Sequence, residues 1–172
     1  MAPQRDEITI VPTDPNGPAP DPRASYDRDL YTWALEQARL IRAGDFSAVD
    51  VENVAEEIES LGREQFSKLE SAFRVLLMHM LKWDFQPERR SRSWALSITE
   101  KRLVLEDVLD DNPGLKPRIP EAIARAYRKA RVGAARETKR DVRQFPELCP
   151  YPLADITDRP FEHTPAAKEP PD

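Results

Sequence analysis

Glycine, cysteine and histidine are scarce in this chain, and each scarcity excludes a kind of protein. Five glycines in 172 residues include no glycine-rich loop of the kind that cradles phosphates. The single cysteine, Cys149, excludes an intramolecular disulfide, and the two histidines, His79 and His163, offer no zinc-ligand spacing. The longest apolar run, Val75–Met78, is far too short to cross a bilayer, so no membrane association is expected.

Catalytic motifs and targeting signals are missing as well. Neither a G-x-S-x-G elbow nor an HExxH helix occurs, so the sequence gives an enzyme little support and predicts no cofactor. The N-terminal residues lack the apolar stretch of a secretory signal. Together with the lone cysteine, this favours a reducing cytoplasm as the location.

Proline is abundant by contrast, and it is concentrated at the two ends. Ten of the 17 prolines lie in residues 1–24 and 158–172. Proline fixes φ and removes a hydrogen-bond donor, so neither helices nor strands run through such stretches. The sequence therefore predicts two disordered tails over 1–24 and 158–172, with one helical domain over 25–157 between them.

Between the tails, apolar residues recur at helical spacing, which predicts an all-α, single-domain bundle of about five helices. Gly62 leaves open whether the second and third helices are one. An irregular, apolar segment over 145–153 is expected to cover one end of the bundle, with a short helical turn near 152–157. Capping and stop signals place the helices between Ser25 and Gly44, between Ser47 and Gly62, from there to about Phe85, from Ser91 or Ser93 to Asn112, and from Pro120 onward.

Apolar rows on the predicted helices indicate which faces are buried. The third helix is the most apolar and is placed at the centre, and alanines on the fifth helix predict close packing. The second helix has one apolar row and a strongly acidic outer face. Its predicted buried residues are Val51, Val54, Ala55, Ile58 and Leu61.

Six sequence blocks carry a resemblance to a known family. They are YDRDLYTW from residue 26, NVAEEIESLG from 53, LLMHMLKW from 76, SRSW from 91, NPGL from 112 and FPELCPY from 145. In this order they resemble the bacterial family catalogued as domain of unknown function number 29, over about 25–158. Gly114 stands where that family has serine. The resemblance implies a helical bundle and a bacterial source, and it implies no activity.

A carboxylate and histidine cluster is the first candidate site. Glu52, Glu56 and Glu59 share one helical face, and a bundle could bring them to His79 as a metal site. The di-metal bundle pattern needs Glu-x-x-His pairs, and neither histidine has a glutamate three residues before it. A solvated acidic face and a hydrogen-bonded core histidine are therefore favoured.

The stretch over 82–94 is the second candidate, because arginines beside tryptophans can hold phosphates and stack on bases. The alternative is ordinary structure, with Trp83 and Trp94 as core anchors and arginines capping carbonyls. The alternative is favoured. The candidate binding residues here are Arg89, Arg90, Arg92 and Trp94.

The basic helix over 118–143 is the third candidate, since its cations could bind a polyanion. A net charge of −5 argues against the whole chain as a nucleic-acid binder. Pairing with the acidic helix face, within or between subunits, is favoured. The candidate residues are Arg125, Arg128, Lys129 and Arg131.

Three functions follow, in order of preference. The first is a non-catalytic cytoplasmic protein-interaction or adaptor domain that uses charged helix faces on a protein partner or a second copy. The second is a nucleic-acid-binding protein using 118–143 and 82–94. The third is a metal-dependent enzyme. Cys149 has no adjacent charge and is expected to be a packing residue.

Overall fold

The structure is a computed structural model that describes residues 26–162. The predicted tail over 1–24 and most of the predicted tail over 158–172 lie outside the described residues. Five α-helices lie wholly within the described range, which contains no β-strand, so the all-α prediction is confirmed. They are α1 (Leu30–Ala43), α2 (Val51–Phe85), α3 (Arg92–Asp111), α4 (Ile119–Thr138) and α5 (Leu153–Asp158).

The chain divides into two compact units, with the boundary between Glu59 and Ser60. The described part of the first unit, residues 26–59, contains α1 and the first turns of α2 and is called the hairpin below. The described part of the second unit, residues 60–162, is called the bundle. The sequence predicts a single domain over 25–157 and gives no sign of this division, because the boundary falls inside a continuous helix without a linker.

Helix α1 begins and ends at recognisable caps. Asp29 is the N-cap, and its carboxylate accepts a hydrogen bond from the Thr32 amide at 3.0 Å. The N-cap that the sequence predicted for α1, Ser25, lies outside the described residues. The observed N-cap, Asp29, is four residues further along the chain. At the other end, Gly44 has a left-handed φ of 76°, which confirms the predicted stop.

Asp50, rather than the predicted Ser47, caps the start of α2. The Asp50 carboxylate accepts hydrogen bonds from the amide and the side chain of Asn53, at 3.5 and 2.7 Å. The Asp50 amide donates to Gln37 Oε1 at 2.9 Å, which ties the start of α2 to α1. Ser47 instead donates its hydroxyl to Asp45 at 2.9 Å. The prediction of Ser47 was wrong, because an aspartate caps a helix as well as a serine does and Asp50 lies directly before Val51.

The predicted second and third helices are one continuous helix of 35 residues. Gly62 lies within it, and a Cβ at that position would meet no atom within 4 Å. A mid-helix glycine costs about 1 kcal/mol, which is too little to end a helix that is anchored by packing further along.

Helices α3 and α4 follow the predicted signals closely. Ser91 caps α3 by accepting a hydrogen bond from the Trp94 amide at 3.3 Å. The turn after α3 is a 3-10 segment over Pro113–Arg118, and Pro120 lies in the first turn of α4. Proline is tolerated there because the first turn has no intrahelical partner for its missing N–H.

Small residues allow α4 to lie close against α2 within the bundle. Ala126, Ala130 and Ala134 are fully buried, which confirms the predicted small-residue stripe. A Cβ added to Gly133 would lie 2.9 Å from the Met78 sulfur, so only glycine fits without displacing that side chain. The hydrophobic cluster extends to Ile98, Leu105, Leu115, Phe145 and Ile156.

The segment after α4 packs on this core, as predicted. Phe145 is buried, and its ring lies 4.9 Å from the ring of Phe85. The Tyr127 hydroxyl donates to the Pro146 carbonyl at 2.7 Å, and its burial raises the pKa of Tyr127 to about 12. Helix α5 confirms the helical turn expected near 152–157.

Packed side chains continue past residue 157. Arg159 forms a bidentate ion pair with Asp84, at N–O distances of 2.9 and 2.5 Å. The Tyr151 hydroxyl donates to the same carboxylate at 2.9 Å. Phe161 lies edge-on to Trp83, with ring centroids 5.5 Å apart. The ordered contacts of the bundle therefore reach at least Phe161.

Candidate functional site

The proposed metal ligands are distributed along α2 rather than gathered. Glu52, Glu56 and Glu59 lie on its first turns, whereas His79 lies in its last two. His163 lies outside the described residues. Within residues 26–162, no three side chains of His, Cys, Asp or Glu come together closely enough to hold a metal ion. The metal hypothesis thus receives no geometric support from the residues that motivated it.

His79 has the surroundings of a core histidine. Its Nδ1 lies 2.9 Å from the Val75 carbonyl oxygen, which can only accept, so Nδ1 carries the proton of this contact. Burial lowers the pKa of His79, and nearby Lys82 acts in the same direction, so the neutral imidazole is favoured.

An ion pair between a buried lysine and an exposed glutamate, near His79, was not foreseen from the sequence. Lys82 is 6% exposed, and its ammonium donates to Glu137 at 2.6 Å. The same ammonium lies 4.5 Å from the centroid of the Trp94 ring. The carboxylate and the ring both stabilise a positive charge, so the group joins α2, α3 and α4. The one available signal was a single cation within the otherwise apolar or neutral run over 75–83.

The arginine and tryptophan stretch is largely engaged within the bundle. Trp83 is buried, and Arg90 donates to its carbonyl at 3.0 Å while its guanidinium lies 5.2 Å from the Trp83 ring. Trp94 is half-buried beneath Lys82. Of the candidate residues, the three arginines Arg89, Arg90 and Arg92 are exposed. The tryptophan faces that a nucleobase would need are thus occupied by the protein's own cations.

Helix α4 has the basic face that the sequence predicted, but the cations on it differ in their contacts. Arg131 donates to the Phe145 carbonyl at 3.1 Å and so holds the segment that covers the core. Lys129 pairs with Glu70 at 2.5 Å, and Arg125 pairs with Glu121 at 2.8 Å. Arg128 is exposed on the same face. Arg131 is therefore a structural residue, whereas the other three cations face solvent.

Apolar groups accompany these cations at the surface. Val132 is 61% exposed in the middle of the α4 face, and with Arg125, Arg128 and Lys129 it lines a shallow groove along α4 of about 420 Å³. This groove along α4 therefore combines an apolar floor with a basic rim. A second shallow groove, of about 370 Å³, runs between α4 and the following segment, where Leu148 and Cys149 line it and two arginines and two glutamates give it a rim of mixed charge.

Cys149 lies at this groove without the features of a nucleophile. Its sulfur is 3.8 Å from the Tyr151 carbonyl oxygen, and burial raises the pKa of the Cys149 thiol. A raised pKa disfavours the thiolate that nucleophilic chemistry and metal binding require. The expectation of a packing residue agrees with this position.

The hairpin departs most from expectation, because most of the apolar row predicted to be buried on its second helix is exposed and only Val54 of that row is half-buried. Val51 and Ile58 are each 64% exposed, and the row continues to Leu61, at 61%. A different face of α2 carries Glu57, which accepts a hydrogen bond at 2.6 Å from the hydroxyl of Tyr26, just before α1. The assumption that an apolar row marks the buried face was wrong here.

Exposed apolar residues outnumber buried ones across the whole hairpin. Its buried hydrophobic residues are Trp33 and Leu40. Among the described residues, two buried donors of the hairpin, Trp33 Nε1 and Gln37 Nε2, have no hydrogen-bond partner. Its exposed large hydrophobic residues are Leu30, Tyr31, Leu35, Ile41, Phe46, Val51 and Ile58.

Charge is divided between the units in the same way. Residues 26–59 contain nine acidic and three basic residues, a net charge of −6. Residues 60–162 contain 16 acidic and 20 basic residues, a net charge of +4. The hairpin is thus an acidic, apolar surface, and α4 displays a basic, apolar one.

The fold and these surfaces define an all-α protein whose candidate site is a pair of oppositely charged surfaces. No α-helix within residues 26–162 combines the length and apolarity that crossing a bilayer requires. Residues 25–162 match the model of the family described as Domain of unknown function DUF29, and the chain belongs to that family. Comparisons with curated proteins and with solved structures gave no match.

Proposed function

We propose that this chain is a non-catalytic, cytoplasmic protein-interaction domain that binds through charged helix surfaces with apolar centres. The observation that carries the proposal is the hairpin, which exposes seven large hydrophobic residues and buries two. Three exposed apolar residues, Val51, Ala55 and Ile58, share one face of α2 at i, i+4 and i+7. Contiguous exposed apolar surface is rare on proteins that act alone, and it commonly marks an interaction site.

The arrangement of charge around these residues supports the same function. Glutamates at 52, 56 and 59 follow the apolar row of α2 along its length, as a polar rim follows the apolar centre of an interface. On α4, exposed cations surround Val132 in the same way. Charged rims of opposite sign steer partners and exclude wrong ones.

Nucleic acid is the alternative ligand, and the engaged tryptophans disfavour it. Phosphate contacts could still form through Arg89, Arg92 and the cations of α4. Such binding would be sequence-independent and steeply dependent on salt.

The test is comparative purification of the tagged full chain from its native host. The hairpin variant carries Val51→Ser and Ile58→Ser, and the matched control carries Leu96→Ser and Leu103→Ser. These control leucines on α3 are 55% and 57% exposed, so both variants remove two exposed aliphatic side chains from helices. Co-purified proteins, including untagged copies of the chain itself, are quantified by mass spectrometry.

We expect a stoichiometric protein partner that the wild type and the control retain and the hairpin variant loses. The same proteins in all three samples would contradict an interaction function for the hairpin. Recovery of nucleic acid alone, lost at high salt, would replace the proposal with the alternative.

A further inference from the structure

The two exposed surfaces of this chain complement each other in charge and in chemistry. On the first turns of α2, Val51, Ala55 and Ile58 form an exposed apolar row at i, i+4 and i+7. An acidic row lies beside it on the next strip of the helix surface. The hairpin therefore offers an amphipathic helix of the kind that fits an apolar groove with a basic rim.

Helix α4 offers such a groove. Residues 119–138 contain five basic and two acidic residues. Arg125, Arg128 and Lys129 lie one or two turns before Val132 on the exposed face, and these four residues line the groove along α4. Arg125 and Lys129 form ion pairs, but their own side chains remain 50% and 66% exposed. Exposed pairs are worth only about 0–1 kcal/mol each, so they do not prevent a carboxylate from another molecule from competing.

Charge also decides which surfaces can meet. A symmetric contact between two hairpins would bring together two surfaces with a net charge of −6 each, and like charges opposed at an interface are strongly unfavourable. Two α4 faces would repel each other in the same way. The hairpin of one molecule and the α4 face of another bring opposite charges and two apolar centres together.

We infer that the chain associates with itself head to tail, with the Val51, Ala55 and Ile58 row of one copy lying in the groove along α4 of the next. The inference rests on the proposed function, because it names a second copy of this chain as the partner. Each copy carries one surface of each kind, so the contact is heterologous and either closes into a ring or continues into longer assemblies.

The experiment measures the mass of the full-length chain by sedimentation, across protein concentration and at low and high salt. The wild type should increase in mass with concentration, and high salt should weaken the association because it screens the charged rims. A hairpin variant (Val51→Ser with Ile58→Ser) and a groove variant (Arg128→Glu with Val132→Ser) should each be monomeric, with association at least tenfold weaker. Circular dichroism verifies that both retain their helices.

Mixing the two variants gives the decisive result. Each variant keeps one intact surface, so an equimolar mixture should form a complex of two chains that does not grow further. The control variant, Leu96→Ser with Leu103→Ser, should associate like the wild type.

Three outcomes would overturn the inference. A groove variant that still associates would point to contact between hairpins, and a mixture that stays monomeric would exclude the complementary pair. A wild type that is monomeric at every concentration and salt would exclude self-association. The purification experiment would still decide the proposed function separately, since it detects foreign partners that depend on the hairpin.

Discussion

In the hairpin, two hydrophobic residues are buried and seven large ones are exposed, whereas the bundle buries 21 hydrophobic residues and exposes six large ones. Both units consist of amphipathic helices, and α2 runs through both. The bundle surrounds α2 with α3, α4 and the segment after α4, so little of its apolar surface is left over. The hairpin has one other helix, and a helix pair can cover only one face of each member. The first turns of α2, which are only partly covered, can therefore bind a partner, whereas the part of α2 that the bundle encloses cannot.

The largest effect should come from shortening the same side chain in the two units. Leu76→Ala removes a fully buried side chain from the bundle and should cost about 2–5 kcal/mol of unfolding free energy. Leu35→Ala in the hairpin, where the side chain is 56% exposed, should change it by less than about 0.5 kcal/mol. Urea denaturation of the dilute full chain measures both. Equal losses would show that the hairpin has a core of its own.

The ion pairs of the two units should differ as well. Asp84→Asn weakens the contacts with Arg159 and Tyr151 in a half-buried setting and should cost about 1–2 kcal/mol. Glu36→Gln removes an exposed pair with Arg39 in the hairpin and should leave the free energy of unfolding close to that of the wild type, because solvent screens exposed pairs. Thermal unfolding of both variants gives the comparison. A Glu36 effect as large as that of Asp84 would contradict it.

The C-terminal ends of α1 and α4 allow a reciprocal pair of substitutions, one in each unit. Helix α1 ends at Gly44 with φ 76°, and α4 ends in the same left-handed conformation at Lys139, with φ 56°. Gly44→Lys should destabilise the hairpin, and Lys139→Gly should stabilise the bundle, each by about 1 kcal/mol. Hydrogen exchange of the backbone amides in α1 measures the stability of the hairpin, and exchange in α4 measures that of the bundle. Changes of the same sign would mean that local backbone strain does not control these ends.

The smallest effect concerns pH and is confined to the bundle. Burial, with Lys82 and Lys101, lowers the pKa of His79, and the hydrogen bond to the Val75 carbonyl and the charge of Glu137 only partly oppose them. The folded state therefore holds this proton less tightly than the unfolded state. Its contribution is present above the ordinary pKa of about 6.5 and is lost as the pH falls below it.

His79→Gln should accordingly reduce the loss of unfolding free energy between about pH 7.5 and about pH 5.5. The matched variant His163→Gln should retain the loss seen in the wild type. Denaturant titrations at the two pH values make the measurement. If the His79 variant lost as much unfolding free energy between the two pH values as the wild type does, another group would control stability in this pH range.

Several features were predictable because their causes are local. Gly44, Ser91 and Pro120 act within one helical turn, and the structure confirms all three. The choice between Ser47 and Asp50 as a cap, by contrast, depended on a hydrogen bond from Gln37 on another helix. The local signal indicated Ser47, whereas the observed cap, Asp50, also makes a contact with another helix that no local signal shows.

The candidate site was predictable only in its charges. The acidic and basic faces are visible along the sequence, and Arg128 and Lys129 are exposed as expected. Arg131 was grouped with them, but it is bound to the Phe145 carbonyl. The pairing of Lys82 with Glu137 joins residues 55 positions apart, and spacing along a helix carries no information about such a pair.

The sequence by itself determined the all-helical fold, several of the helix ends, the core face of α2 in the bundle and the separation of charge. Each of these depends on side-chain chemistry repeated within a few turns. Only the tertiary structure decided that the apolar row of Val51, Ala55 and Ile58 is exposed. Periodicity shows that a helix has an apolar face, but burial depends on whether another element lies against that face. In the hairpin, the contact of Tyr26, just before α1, lies on a different side of α2, which leaves the row for a partner.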